Sequence, residues 1–187
     1  MRLILLRHGR TEANERHLYC GASDPTLSAS GREALERLRI ERSMDIDGLV
    51  RITSGMRRTD ETLRILFGCA PDRIERDLRE IDFGEFEMLD YDRLKSVPAC
   101  QEWIADASGN LAPPGGESAN AFCARVFAAA DRLREDALIV THGGVIAALM
   151  ARWFPHEGKN RWDWQPQFGC GYAVCLEGSD RSYEPIH

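Results

Sequence analysis

The chain has 187 residues, 43% hydrophobic and 29% charged, with a formal net charge of -6. That length suits one domain with a sizeable core, and the acidic balance argues against the basic face that nucleic-acid binding needs. An anionic small substrate stays open, because a few arginines focused in one cleft set the local potential.

Arg2 to Leu6 reads as a first strand, a short apolar run that leads into Arg7-His8-Gly9. Turn signals follow at Tyr19-Cys20-Gly21 and Asp24-Pro25. Ser28 or Ser30 caps the next helix, Ser30 having capping-box spacing to Glu33, and Ala34, Leu35 and Leu38 form its apolar face. Leu49 to Thr53 is a second strand ending at Ser54-Gly55. A helix runs from about Arg57 and stops near Gly68, with Thr62, Leu63, Leu66 and Phe67 on one face. Arg73 to Leu78 reads as an edge strand, and the acidic stretch Asp77 to Glu87 as a loop. Asp90 to Ile104 gives short amphipathic helical pieces, and Ala112-Pro113-Pro114-Gly115-Gly116 is a break. Glu117 to Arg134 is the strongest helical pattern, with Phe122, Val126, Phe127, Ala130 and Leu133 at helical spacing. Ala137 to Thr141 is a third parallel strand that leads into His142-Gly143-Gly144. Val145 to Trp153 is the helix after it, and Gly171 to Leu176 a late antiparallel strand. Strands alternating with helices predict an α/β fold: a three-layer α/β/α sandwich with a mostly parallel central sheet and helices on both faces. The organisation predicted is a single domain over 1–187, with residues 88–116 inserted as a helical lid.

Ligands of open α/β sheets sit beyond the carboxyl ends of the strands. Two strands here end in histidine followed by glycine, so both imidazoles are expected at one edge. A phosphomonoester hydrolase working without metal needs a nucleophile, cations on the non-bridging oxygens and an acid for the leaving oxygen. His8 is the candidate nucleophile, neutral and with its other nitrogen held by a backbone carbonyl. Arg7 and Arg58 are candidate clamps, since a guanidinium fork matches phosphate geometry. His142 is a third donor, and Gly143 offers a backbone N–H at a helix N-terminus, which suits an anion. Glu80 is the candidate general acid and later base, competing with Asp82, Glu85 and Glu87 nearby.

These residues lie in segments that together resemble the histidine phosphatase superfamily, with its phosphoglycerate-mutase-like fold. The segments are Arg7-His8-Gly9-Arg10-Thr11 with Asn14, Tyr19-Cys20-Gly21 with Asp24, and Leu27 to Gly31. Ser54 to Thr62, Arg79 to Glu87, Gly115-Gly116-Glu117-Ser118 and Thr141-His142-Gly143-Gly144 complete the set. The resemblance implies a phosphohistidine at His8, a phosphate pocket of Arg7, Arg58 and His142, and Glu80 as proton donor. It adds Asn14, with Thr11 in the same motif, to the substrate-binding groups. It selects Arg58 over Arg57, which reads as a solvated helix-face residue. Gly55-Met56 stands where the family has proline-leucine, and Glu61 where it has glutamine. Within the superfamily, Phe83 to Met88 and Gln167 to Gly171 are similar to the α-ribazole phosphatases of cobalamin assembly, which remove the 5′-phosphate of α-ribazole 5′-phosphate.

The bland readings cover the rest. Cys20, Cys69, Cys100, Cys123, Cys170 and Cys175 form no Cys-x-x-Cys pair and read as reduced thiols of a cytoplasmic protein. No cofactor, metal, nucleic-acid or membrane partner is expected, and the oligomeric state stays open, a homodimer included. His17, His156 and His187 read as surface residues. Trp103, Trp153, Trp162 and Trp164 read as core or lid packing, and Glu87 as a brace for a pocket arginine. Phe83, Phe86, Tyr91 and Trp103 fall where the family places its lid, and a flat nucleoside-like substrate would stack there. The expected function is thus a metal-independent phosphomonoester phosphatase acting on a small phosphorylated metabolite. The alternatives are a phosphoglycerate mutase, which the resemblance expects to be a longer chain, and a protein phosphohistidine phosphatase or phosphate-binding signalling module.

Overall fold

Leu3-Ile4-Leu5-Leu6 is buried on both sides because its strand lies inside the sheet. The computed structural model describes residues 1–42, 44–178 and 180–187. Its strands are β1 (Arg2–Arg7), β2 (Val50–Thr53), β3 (Arg73–Ile74), β4 (Ala137–Thr141), β5 (Gly171–Glu177) and β6 (Asp180–Ile186). They pair in the order β3-β2-β4-β1-β5-β6. The first four in that order are mutually parallel, β5 runs antiparallel to β1, and β6 antiparallel to β5. The helices are α1 (Glu12–Glu15), α2 (Ala29–Glu41), α3 (Arg57–Phe67), α4 (Tyr91–Leu94), α5 (Pro98–Ala105), α6 (Ala119–Asp131) and α7 (Gly143–Trp153).

Side chains alternate along a strand, and that alternation builds the layers. Leu3 and Leu5 join Ile52 and Ile139 in one cluster with the apolar stripes of α6 and α7. Ile4 and Leu6 join Leu138 and Val140 in a second cluster with Leu35 of α2 and Leu63 and Leu66 of α3. The fold is therefore the three-layer α/β/α arrangement read from the sequence. A third, smaller cluster lies under the excursion from Phe83 to Ala105, where Phe86, Leu94 and Cys100 are buried with Tyr19, Phe83 and Trp103 against them.

The register positions the site. Arg7 pairs with Thr141 and Thr53 with Val140, so β1, β2 and β4 end nearly level. The next residues, His8, Ser54 and His142, leave the sheet along one edge. His8 stays anchored to that edge through its N–H on the Thr141 carbonyl at 2.9 Å.

Several boundaries differ from the sequence reading. The predicted edge strand Arg73 to Leu78 pairs only at Arg73–Ile74. The chain then turns inward through a 3-10 turn, which buries Leu78 completely. Ser28 caps α2, accepting from the Gly31 N–H; Ser30 spends its hydroxyl on Glu15 instead. The 117–134 helix is trimmed to α6, capped by Ser118, and α3 ends at Gly68 in the left-handed conformation. Strand β6 was not read from the sequence. Pro185 argues against a strand, but β6 is an edge, where proline's missing N–H costs no ladder bond. All six cysteines are unpaired, Cys100 buried and the others half-buried. Among the described residues no helix is long and apolar enough to cross a membrane.

Candidate active site

The ring of His8 is buried at the end of β1, and its Nδ1 lies 2.6 Å from the Gly9 carbonyl. A carbonyl only accepts, so Nδ1 carries the proton and Nε2 keeps its lone pair. Burial, then the Arg58 charge and more weakly Arg7, hold the His8 pKa well below the ordinary 6.5 against the opposing Gly9 bond. The imidazole is neutral, with its free nitrogen fixed in direction by one hydrogen bond.

His142 precedes α7, with its ring centroid 5.1 Å from that of His8. Its Nε2 is 2.8 Å from Ser54 Oγ, and Arg58 Nε donates to its Nδ1 at 3.4 Å. Ser54 Oγ lies 3.2 Å from Thr59 Oγ1, which donates to the Met56 carbonyl. The consistent assignment puts the His142 proton on Nε2, facing Ser54. Burial, then Arg58, keep this ring neutral as well. The sequence reading made His142 a third donor; here its Nε2 proton faces Ser54 and its Nδ1 accepts from Arg58.

Arg58 is 1% exposed, whereas Arg57 is exposed, so the register read from the motif puts the inward arginine at 58. Its Nη1 donates to the Ser23 carbonyl at 2.7 Å and its Nη2 to the Gly21 carbonyl at 2.8 Å. Burial lowers its pKa, with Cys20, Glu80, Asp24 and Glu87 opposing. Glu87, read from the sequence as a brace for a pocket arginine, acts through backbone groups. It accepts the N–H groups of Gly21, Ala22, Ser23 and Phe83 between 2.9 and 3.1 Å, and so braces Arg58 through the loop that Arg58 grips. Gly21 has no room for a side chain, since an added Cβ would fall 1.6 Å from the Ile81 carbonyl oxygen. Gly21→Ala should therefore displace this loop, lowering urea-unfolding stability by about 1–3 kcal/mol and lowering kcat with it. Wild-type values for both would remove the loop from the site.

Arg7 lies over the Phe168 ring at 3.8 Å and donates from Nη1 to the Pro166 carbonyl at 2.8 Å. Its Nε is buried without a partner, and burial pulls its pKa down to about 10, so it remains a cation. The Glu80 carboxylate accepts the Gly144 N–H at 2.9 Å and the Ile81 N–H at 3.0 Å, which ties it to the start of α7. Arg125, ion-paired with Glu117 at 2.7 Å, donates to the carbonyls of Asp77, Arg79 and Glu80 and fixes that stretch of backbone. Sequence reasoning missed Arg125, because eight residues separate it from Glu117 and no local rule pairs them.

A cavity of about 410 Å³ opens over these groups. Arg7, His8, Asn14, Glu80 and Gly144 line it, and Phe83, Trp103 and Phe122 supply apolar wall. Arg58 and His142 are not on its wall; both are buried, with the His142 ring beside that of His8. Thr11 and Gly143 are not on the wall. Thr11 is fully buried as the cap of α1, its hydroxyl donating to Asn14 Oδ1 at 2.9 Å, and Gly144 rather than Gly143 faces the cavity. Of the four aromatics placed at the lid, Phe83 and Trp103 line the cavity, Phe86 is buried and Tyr91 is exposed. Arg161, Trp162 and Gln165 also line it and were not singled out as site residues. Trp153 and Trp164 are buried, as expected, but Trp162 is 66% exposed.

The sequence pattern of the histidine phosphatase superfamily (branch 1) matches residues 3–184. The chain belongs to this superfamily. It is 31% identical over 188 residues to the adenosylcobalamin/alpha-ribazole phosphatase of Salmonella typhimurium, covering 93% of this chain and 90% of that one. The crystal structure of the alpha-ribazole phosphatase from Shigella flexneri superposes with a TM-score of 0.85 at 28% identity, covering all of this chain and 96% of that one. A structure titled phosphoglycerate mutase from Thermus thermophilus gives 0.76 at 30% identity, covering 100% and 99%. Membership and these relatives make the chain a phosphatase-type hydrolase. The Thermus chain is matched over 99% of its length, so length alone does not separate a phosphatase from a mutase.

Proposed function

We propose that this member of the histidine phosphatase superfamily is a metal-independent phosphomonoester phosphatase working through phosphohistidine at His8. The observation that carries the reading is the His8 ring: neutral, its Nδ1–H held by the Gly9 carbonyl, its Nε2 lone pair free, with Arg7 and Glu80 on the same cavity wall. Nε2 attacks phosphorus in line with the leaving oxygen. Arg7 and Arg58 neutralise charge on the equatorial oxygens. A phosphoryl dianion beside His142 raises that ring's proton affinity and makes it the third donor. Glu80, protonated, gives its proton to the departing alkoxide. As carboxylate it then takes a proton from the water that attacks the phosphohistidine, releasing inorganic phosphate and restoring His8. Asn14 contributes a further contact from the wall.

The substrate we infer is a small phosphomonoester with a flat, apolar alcohol part, of which α-ribazole 5′-phosphate is the leading case. Support comes from the names of the relatives in Salmonella and Shigella and from the apolar wall of Phe83, Trp103 and Phe122. The excursion over 88–116 acts as a lid in this reading, and one domain spans the chain.

The test is a substrate panel with EDTA present, comparing α-ribazole 5′-phosphate, ribose 5-phosphate and 3-phosphoglycerate. Phosphate release from the first should lead, and activity with and without the chelator should agree within about twofold. An acid-labile, base-stable phosphoryl group should appear on residue 8 in quenched samples. Isomerisation of 3-phosphoglycerate without phosphate release would favour the mutase, and loss of all activity in EDTA would overturn the metal-independent reading.

A further inference from the structure

The catalytic reading leaves one side of the cavity unexplained. Among the described residues two buried side-chain polar atoms have no hydrogen-bond partner, Arg7 Nε and Arg161 Nε, and both arginines line the same cavity. A buried donor left unpaired is costly, and such atoms in a native fold call for an explanation. For Arg7 it is the phosphoryl group. Arg161 takes no part in that chemistry.

The other contacts of Arg161 are weak. Its Nη1 meets Cys123 Sγ at 3.3 Å, a poor acceptor. Its guanidinium carbon lies 5.3 Å from the ring centres of both Phe122 and Trp162. Among the described residues no carboxylate forms an ion pair with it. Beside it Trp162, a large apolar ring on the same cavity wall, is two-thirds exposed. A planar cation with an unused donor, next to an uncovered indole, matches a flat ring that carries an in-plane lone pair: the ring face covers the indole and the ring edge takes the N–H.

We propose that Arg161 is a specificity-determining residue, its guanidinium donating to a ring acceptor on the alcohol part of the substrate while Trp162 offers that ring a stacking face. The ligand class is a phosphomonoester whose alcohol bears a nitrogen heterocycle. The inference rests on the phosphatase reading and adds the group that selects the alcohol.

The experiment compares α-ribazole 5′-phosphate with ribose 5-phosphate, which lacks the heterocycle, on wild type, Arg161→Gln and Arg161→Lys. The readout is the ratio of the two kcat/KM values, which is insensitive to the fraction of folded enzyme. Wild type should favour the heterocyclic substrate, and the ratio should fall at least tenfold in Arg161→Gln, mainly through KM. Arg161→Lys keeps the charge without the planar guanidinium fork and should fall as well. The dephosphorylated nucleoside, α-ribazole, should inhibit wild type competitively, with an inhibition constant at least tenfold weaker in Arg161→Gln. An unchanged ratio in Arg161→Gln, equal use of both substrates by wild type, or full recovery in Arg161→Lys would overturn the proposal and leave the phosphatase reading standing. Failure of wild type to hydrolyse either compound would overturn both.

Discussion

His8→Asn should abolish turnover, with kcat falling on the order of 10⁴-fold or more, as happens when a covalent nucleophile is removed. No other group on the cavity wall offers a neutral nitrogen lone pair with its direction fixed, as the Gly9 carbonyl fixes Nε2. Quenched samples of the variant should hold no acid-labile phosphate. The same substitution has a second signature, in stability. His8 and His142 both have folded pKa values well below 6.5. As pH falls below 6.5 the unfolded chain binds protons that the folded protein refuses. The stability these rings contribute is therefore complete above pH 6.5 and is lost as pH falls toward their folded values. The slope is roughly 1.4 kcal/mol per pH unit for each ring. Urea unfolding at pH 7.5, 6.5 and 5.5 should show a shallower acid-side loss for His8→Asn than for wild type. Parallel curves would mean that the folded protein protonates the His8 ring as readily as the unfolded chain does, so that burial and Arg58 do not hold it neutral.

What the sequence made legible, and what it did not, follows the range of the interactions. The runs Leu3 to Leu6 and Ala137 to Val140 are apolar over a length that only a buried strand needs, so the sheet edge carrying His8 and His142 could be read directly. Arg58 could be separated from Arg57 because the family resemblance sets the motif register at 58, and α3 turns that side chain inward. Thr11 was misplaced because a cap and a ligand contact demand the same residue type, and only the geometry of α1 shows the hydroxyl spent on Asn14. The route by which Glu87 braces Arg58, and the roles of Arg125 and Arg161, were hidden for another reason. Each depends on backbone or rings brought near by chain reversal: the 21–23 loop for Glu87, the Asp77–Glu80 carbonyls for Arg125, and Phe122 for Arg161. No periodicity records such meetings. Trp162 was read as packing because composition cannot tell an indole in the core from one at a cavity mouth.

Arg58 is where structure and chemistry are hardest to separate, and its replacement should have the second-largest effect. In Arg58→Gln the Gly21 and Ser23 carbonyls lose the guanidinium that joins them, and His142 Nδ1 loses its donor. Stability should fall on the order of 3–5 kcal/mol, the range for breaking a buried charged network. If the residue only held the loop, the folded fraction would keep its kcat. If it also carries transition-state charge, kcat should fall about 10²–10³-fold in protein shown by circular dichroism to be folded. A further consequence depends on charge alone. Arg58 is the largest electrostatic cause holding both histidines neutral, second only to burial. Removing it should raise the proton affinity of both rings, so the acid limb of kcat/KM should move to higher pH in Arg58→Gln. Arg58→Lys keeps the charge but loses the fork that spans Gly21 and Ser23, so it should hold the acid limb near the wild-type position while losing stability. An acid limb that shifts equally in the glutamine and lysine variants would show that loop displacement, rather than the guanidinium charge, sets the protonation of the site.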